Sequence, residues 1–180
     1  MRNGAVIWIT GLSGAGKTTL ARAVAAYLRE QSVPVVLLDG DDLREVFGVA
    51  TDTVAYEGAA RLALAWQYAR LCRVLATQGV TVVIGTISLF HEIHAWNRAH
   101  LPGYFEVFLD VPLAELRRRD SNGIYSRFDA GELSNVIGLD LPVQFPQAPH
   151  WVVRYDSRDT VDTLAAQLVT RAAARTLLSS

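Results

Sequence analysis

The segment Gly11-Leu12-Ser13-Gly14-Ala15-Gly16-Lys17-Thr18 constrains this chain more than any other stretch. Its glycines let backbone N–H groups turn inward with no Cβ in the way. Ala5–Thr10 ahead of it is a short apolar run that reads as a buried strand. Thr18–Glu30 behind it carries Leu20, Val24, Tyr27 and Leu28 near helical spacing. A strand, a glycine loop and a helix in that order form a cradle for phosphate, because the free amides and the positive helix end face the anion. The competing reading, a chance glycine-rich turn, requires pattern, strand and helix to coincide by accident.

The cradle sets the first site expectations. Gly11, Ser13, Gly14, Ala15, Gly16, Lys17, Thr18 and Thr19 are the expected nucleotide-binding residues. Lys17 reaches the β- and γ-phosphates as a catalytic cation, and the Thr18 hydroxyl is the metal ligand. ATP with Mg²⁺ is the implied pair. Lys17 is the only lysine of the chain, while arginine is abundant. A compact ammonium fits among phosphates where a planar guanidinium does not.

Further strands are expected at Val35–Leu38, Val80–Ile84, Phe105–Leu109 and Trp151–Tyr155. Helices are expected at Ala59–Ala76, around Phe90–Ala99 and at Thr160–Leu177. The alternation predicts an α/β chain with the P-loop NTPase fold: a parallel sheet of about five strands, with helices on both faces. Ligands in such folds sit beyond the carboxyl ends of the strands. Thr10–Gly11, Asp39–Asp41, Gly85–Ser88 and Asp110 all fall there. The periodicity breaks at roughly residues 117–149, which reads as an arginine-bearing lid. One domain is expected over residues 1–180.

Bulk properties narrow the function. A net charge of −1 gives no footing for nucleic acid. The longest charge-free run, Val74 to His91, is broken by polar residues and glycines, so no membrane span and no membrane partner is expected. The strand begins too near Met1 for a signal peptide. The single cysteine, Cys72, lies in an apolar helical stretch, reads as core and suits a reducing cytoplasm. A conventional GTPase would need an Asn-Lys-x-Asp guanine reader, and no lysine follows position 17. A motor or remodelling ATPase needs a larger chain. A small domain with a lid suits phosphoryl transfer to a small molecule, with water shut out.

Asp39-Gly40-Asp41-Asp42-Leu43-Arg44 ends the second strand. Gly40 would let the chain turn sharply and bring two carboxylates to the γ-phosphate. One can hold Mg²⁺ or its waters and the other can take the proton of an attacking hydroxyl, with Asp41 the candidate base. The plainer alternative is a helix N-cap at Asp41 or Asp42. Arg117, Arg118 and Arg119 end a helix, where positive charge is ordinary. Lid arginines also stabilise a transferring phosphoryl group, so Arg117 is a candidate nucleotide contact, Arg119 a candidate catalytic one, and Arg127 a further candidate. His91 and His94 read as a surface or substrate-side pair rather than a metal site. Trp8, Trp66, Trp96 and Trp151 read as core or cleft wall.

These residues together resemble the adenylylsulfate kinase family. Gly11–Thr19, Asp39-Gly40-Asp41-x-x-Arg44, Ile87-Ser88 and Phe105-Glu106-Val107 follow its order. So does the lid: Arg119-Asp120-Ser121-Asn122-Gly123-Ile124-Tyr125, Ala130-Gly131-Glu132-Leu133, Gly138-Leu139-Asp140 and Pro146. The resemblance runs through nearly the whole chain. It implies transfer from Mg·ATP to the ribose 3′-hydroxyl of adenosine 5′-phosphosulfate. Asp39, Arg44, Arg61, Ile87, Ser88, Asn135 and Val136 then fall on the acceptor side, and a homodimer is possible because dimers are common in the family.

The departures fall mainly on that acceptor side. The family's Arg-x-x-Asn-x-Arg-Arg run is Arg61-Leu62-Ala63-Leu64-Ala65-Trp66-Gln67 here, and its Ile-Ser-Pro is Ile87-Ser88-Leu89. Its Asn-Phe-Thr-Gly is Asn135-Val136-Ile137-Gly138, so the aromatic that would stack on adenine is absent. The lid lysine is Asn122. This pattern resembles a side branch of the family that phosphorylates other nucleotide-linked acids, such as cytidine diphosphoramidate. Two other readings stay open: a non-catalytic nucleotide-binding regulator, and a kinase for a free sugar or small acid.

Overall fold

The computed structural model describes residues 4–48, 58–120, 122–156 and 158–178. Five strands form one sheet in the order β2-β3-β1-β4-β5: β1 Val6–Thr10, β2 Val35–Asp39, β3 Thr81–Gly85, β4 Phe105–Asp110 and β5 Trp151–Arg154. Every pairing is parallel, with Ile7 opposite Val83 on one side and opposite Phe105 on the other. β1 is central, so the loop that follows it opens at the middle of the carboxyl edge.

Successive residues of β1 face opposite layers, as the two-residue period of a strand requires. Ile7 and Ile9 pack with Leu20, Val24 and Leu28 of α1 (Lys17–Glu30) and with Ala165 and Leu168 of α7 (Val161–Leu178). Val6 and Trp8 pack with Leu64, Tyr68 and Cys72 of α3 (Gly58–Thr77) and with Ile93 of α4 (His91–His100). The expected parallel sheet with helices on both faces is present. Cys72 and Trp8 are fully buried, as expected of core residues. Trp66 and Trp96 are instead half-buried and meet edge to face, 5.6 Å apart. Among the described residues, no helix is long and apolar enough to cross a membrane.

Two features differ from expectation in ways that matter. β2 ends at Asp39, as expected, and a short helix α2 (Gly40–Val46) starts at once. The cap of α2 is Asp39, not Asp41 or Asp42: its carboxylate accepts from the Asp41 N–H at 2.9 Å. The segment after α5 (Leu113–Arg119) is not all loop, because it contains α6 (Ile124–Asp129) and a bridge between Ile137 and Leu141. Asp120 starts α6 by accepting from the N–H groups of Tyr125 and Ser126, each at 2.9 Å. Ser121 lies outside the described residues.

Candidate active site

The glycine loop leaves β1 at Gly11 and enters α1 at Lys17. Gly14 (φ 75°) and Gly16 (φ 96°) hold left-handed backbone conformations that side chains resist. Gly16 is the N-cap of α1 and supplies no side-chain cap, so the amides of the first turn are left for an anion. Lys17 is half-buried, and its Nζ donates to Leu12 O at 2.8 Å, folding back over the loop. Burial lowers its pKa from the ordinary 10.5 to about 8; Asp39 opposes the shift and Arg44 adds to it.

Thr18 Oγ1 donates to Asp39 Oδ2 at 2.6 Å. The strand order explains this contact. Asp39 ends β2 and Thr18 lies in the first turn of α1, and α1 starts at the edge of the sheet where β2 ends. A hydroxyl and a carboxylate side by side are hard oxygen donors, which suits Mg²⁺ with phosphate and water completing its shell. Among the described residues no group of three His, Cys, Asp or Glu gathers for a metal.

Asp39 is therefore occupied on both oxygens, by Thr18 and by the Asp41 N–H. Asp41 is different. Its side chain is 65% exposed and pairs with Arg44 one helical turn on. The structure thus gathers Lys17, Thr18, Asp39, Asp41 and Arg44 at one place. Gly40 serves another purpose than the expected sharp turn. It has no left-handed φ; a Cβ there would meet Gly85 O at 3.3 Å and Thr86 Oγ1 at 3.4 Å. Close packing of α2 on the end of β3 leaves little room for a side chain, which the neighbours would admit only by giving way a few tenths of an ångström.

The opposite wall is made by the lid stretch. Arg61 donates through Nη2 to Asn135 O. Asn135 (φ 60°) and Val136 both donate their N–H groups to Asp140, at 2.7 and 2.6 Å, so one carboxylate shapes this turn. Val136 is buried, as is Ser88. Ser88 holds a left-handed φ of 22°, and its Oγ lies 2.8 Å from Thr86 Oγ1. The neighbouring Ile87 carbonyl accepts from Thr10 Oγ1. Asp140, Thr10 and Thr86 were not among the expected site residues. Asp140 was legible only as part of the Gly138-Leu139-Asp140 signature, without a role.

On the other side of the glycine loop, a cavity of about 220 Å³ opens between Ala15, Gly16 and Thr19 and the residues Arg119, Tyr155 and Leu164. The Arg119 guanidinium lies 4.8 Å from the centre of the Tyr155 ring. Its Nη1 also donates to Gly14 O at 3.4 Å. Glu115 holds both Arg118 and Arg119, and these two arginines bring its carboxyl down to about 2. Arg117 pairs with Asp129 of α6 and lies 5.9 Å from the centre of the Tyr125 ring. Tyr125, which sequence reading left without a role, donates its hydroxyl to Ser13 O at 2.9 Å and ties α6 to the cradle.

The two histidines separate. His91 is exposed and meets Phe145 O at 3.0 Å, whereas His94 is buried beside Glu106. The expectation of a surface or substrate-side pair is therefore corrected for His94. The hydrophobic pattern of α4 turns position 94 toward the sheet, together with Ile93 and Asn97.

Comparison with known proteins agrees with this geometry. A family model described as adenylylsulphate kinase matches residues 3–154. A cytidine diphosphoramidate kinase of Campylobacter jejuni is 37% identical over 143 residues, which is 79% of this chain and 82% of the relative. An adenylyl-sulfate kinase of Gloeothece citriformis is 37% identical over 155 residues, 86% of each chain. Among solved structures, the Mycobacterium tuberculosis APS kinase in complex with AMPPNP and APS aligns with a TM-score of 0.85 at 30% identity, covering 96% of this chain and 99% of that one. The phosphate cradle thus stands in a fold and a sequence that both lead to one family: this chain belongs to the adenylylsulphate kinases and is an ATP-using kinase that phosphorylates a hydroxyl acceptor.

Proposed function

We propose that this kinase transfers the γ-phosphate of Mg·ATP to a ribose hydroxyl of a small acid linked to a nucleotide. The observation that carries the reading is the Thr18–Asp39–Asp41–Arg44 cluster beside the half-buried Lys17. ATP phosphates sit on Gly11–Thr19, and its base faces the cavity beside Arg119 and Tyr155. Thr18 and Asp39 hold Mg²⁺, which neutralises phosphate charge when bound. Lys17 binds the β- and γ-oxygens. Because Asp39 is engaged on both oxygens, Asp41 is the carboxylate left to take a proton. The acceptor hydroxyl forms its bond to the γ-phosphorus, the bond to the β-bridging oxygen breaks, ADP leaves, and the hydroxyl proton passes to Asp41. Arg119 lies next to the cradle and reaches the phosphates as the segment 117–149 closes. Arg117 does the same only if it leaves Asp129. The lone buried thiol suits work in a cytoplasm.

Two acceptors fit this scheme. Adenosine 5′-phosphosulfate is the compound bound by the Mycobacterium structure. Cytidine diphosphoramidate is the compound named for the Campylobacter relative. The second is favoured by the acceptor side: Val136 stands where an aromatic would stack on adenine, and Leu64 is buried core where an amide would offer hydrogen bonds. Stacking on a base is worth about 1–3 kcal/mol, so its loss moves preference by one or more powers of ten. Arg44 and Arg61 suit the anionic linkage of either compound. Incubation with Mg·ATP and each acceptor, with products identified by mass, tests the scheme. Faster turnover of the cytidine compound supports the favoured acceptor, and absence of ADP formation with both counts against a nucleotide-linked acceptor.

A further inference from the structure

Behind Ser88 lies a buried ionic group with no part in the scheme above. Glu106 of β4 is 0% exposed and is flanked by two side chains of α4: Arg98, whose Nη2 donates to it at 2.6 Å, and His94, which pairs with it through Nδ1. The other ring nitrogen of His94, Nε2, donates to Ser88 O at 2.9 Å. A carbonyl and a carboxylate oxygen both accept, so the ring meets each through a nitrogen on its own side. Ser88 O also receives the Phe90 N–H at 3.1 Å.

A carboxylate this deep is costly unless it is paired, and a left-handed, non-glycine residue persists only where its surroundings hold it. Both conditions are met by the same ring. We infer that His94 is a positioning residue: anchored by Glu106, it grips the Ser88 carbonyl and fixes the acceptor-side wall formed by Ile87 and Ser88. This rests on the reading that Ile87 and Ser88 face the acceptor. Thr10 of β1 holds the same turn through the Ile87 carbonyl, and Thr86, the residue after β3, meets the Ser88 hydroxyl. Removing His94 therefore loosens one wall of the site and leaves the phosphate cradle intact. Arg98 extends the chain of contacts outward, donating to Ala148 O at 2.8 Å, so the same buried carboxylate ties the end of the lid stretch to the acceptor turn.

The test uses H94L, which removes both bonds at similar size, and E106Q, which keeps the shape and removes the charge. NMR-detected amide exchange compares the Thr86 and Phe90 amides with amides of the glycine loop. Steady-state kinetics gives KM for ATP and for whichever of the two acceptors is turned over. The expected result is exchange at Phe90 faster by about tenfold or more, unchanged exchange in the glycine loop, and acceptor KM raised by about tenfold with ATP KM within about twofold. If H94L does not fold, E106Q carries the comparison in the same direction. Unchanged Phe90 exchange in both variants overturns the inference. So does exchange that rises equally across the sheet, or an acceptor KM that stays fixed while the turn loosens. A wild-type protein that turns over neither acceptor overturns the acceptor reading instead. The exchange comparison needs no acceptor and still decides whether His94 holds the turn.

Discussion

The Thr18 hydroxyl and the Asp39 carboxylate are 21 residues apart along the chain and 2.6 Å apart in space. The contact joins the first turn of α1 to the last residue of β2, and sets a hydroxyl and a carboxylate side by side next to the glycine loop, where the proposed scheme puts Mg²⁺. Asp39 has a second task, capping α2 through the Asp41 N–H. The two tasks separate in D39N. Asparagine caps a helix about as well as aspartate, so the stability of D39N should stay close to wild type. Loss of the charge should weaken the Mg²⁺ dependence, with activity down roughly 10–100-fold. Thermal unfolding and a magnesium titration of turnover check the two halves independently.

Asp41 contributes nothing to the cap by its side chain and is largely exposed. D41N should therefore lower kcat by about 10²–10⁴, with ATP affinity unchanged. Turnover equal to wild type would remove Asp41 from proton transfer.

The lowered pKa of Lys17 carries a pH signature. In the unfolded chain the amine holds its proton up to about 10.5, but in the folded protein only up to about 8. Burying the charged amine therefore costs stability below pH 8, and that cost fades as pH rises from 8 toward 10.5. Phosphate binding runs the other way, since it needs the ammonium. ATP binding should weaken progressively above pH 8, and K17M should bind weakly with no such trend. Calorimetric titration of ATP between pH 7 and 9.5 measures this.

Val136 tests acceptor choice directly. V136F restores an aromatic face to the turn held by Asp140, and should move the kcat/KM ratio toward adenosine 5′-phosphosulfate by roughly tenfold or more. A ratio unchanged from wild type would show that the base does not lie against this residue.

Cys72 should be inert. It is fully buried in α3, and burial pushes its thiol far above the usual range, so almost no thiolate forms. A thiol reagent should react in denaturant and fail to react, over hours, with the native protein.

The sequence by itself determined the phosphate cradle, the alternation of strands and helices, and the residues at the carboxyl edge. These are local properties. Glycine spacing and a two-residue or 3.6-residue period act on neighbours in the chain, so their consequences are legible from neighbours alone. Only the tertiary structure decided which residue does what. Asp39, not Asp41 or Asp42, capped α2. Gly40 packs closely against Gly85 and Thr86. Arg117 paired with Asp129, while Arg119 lay over Tyr155. His94, expected with His91 as a surface or substrate-side pair, is the buried partner of Glu106. The physical reason is the sheet order. Placing β3 and β4 on either side of β1 brings together side chains that are dozens of residues apart, and no local pattern records which of them will meet.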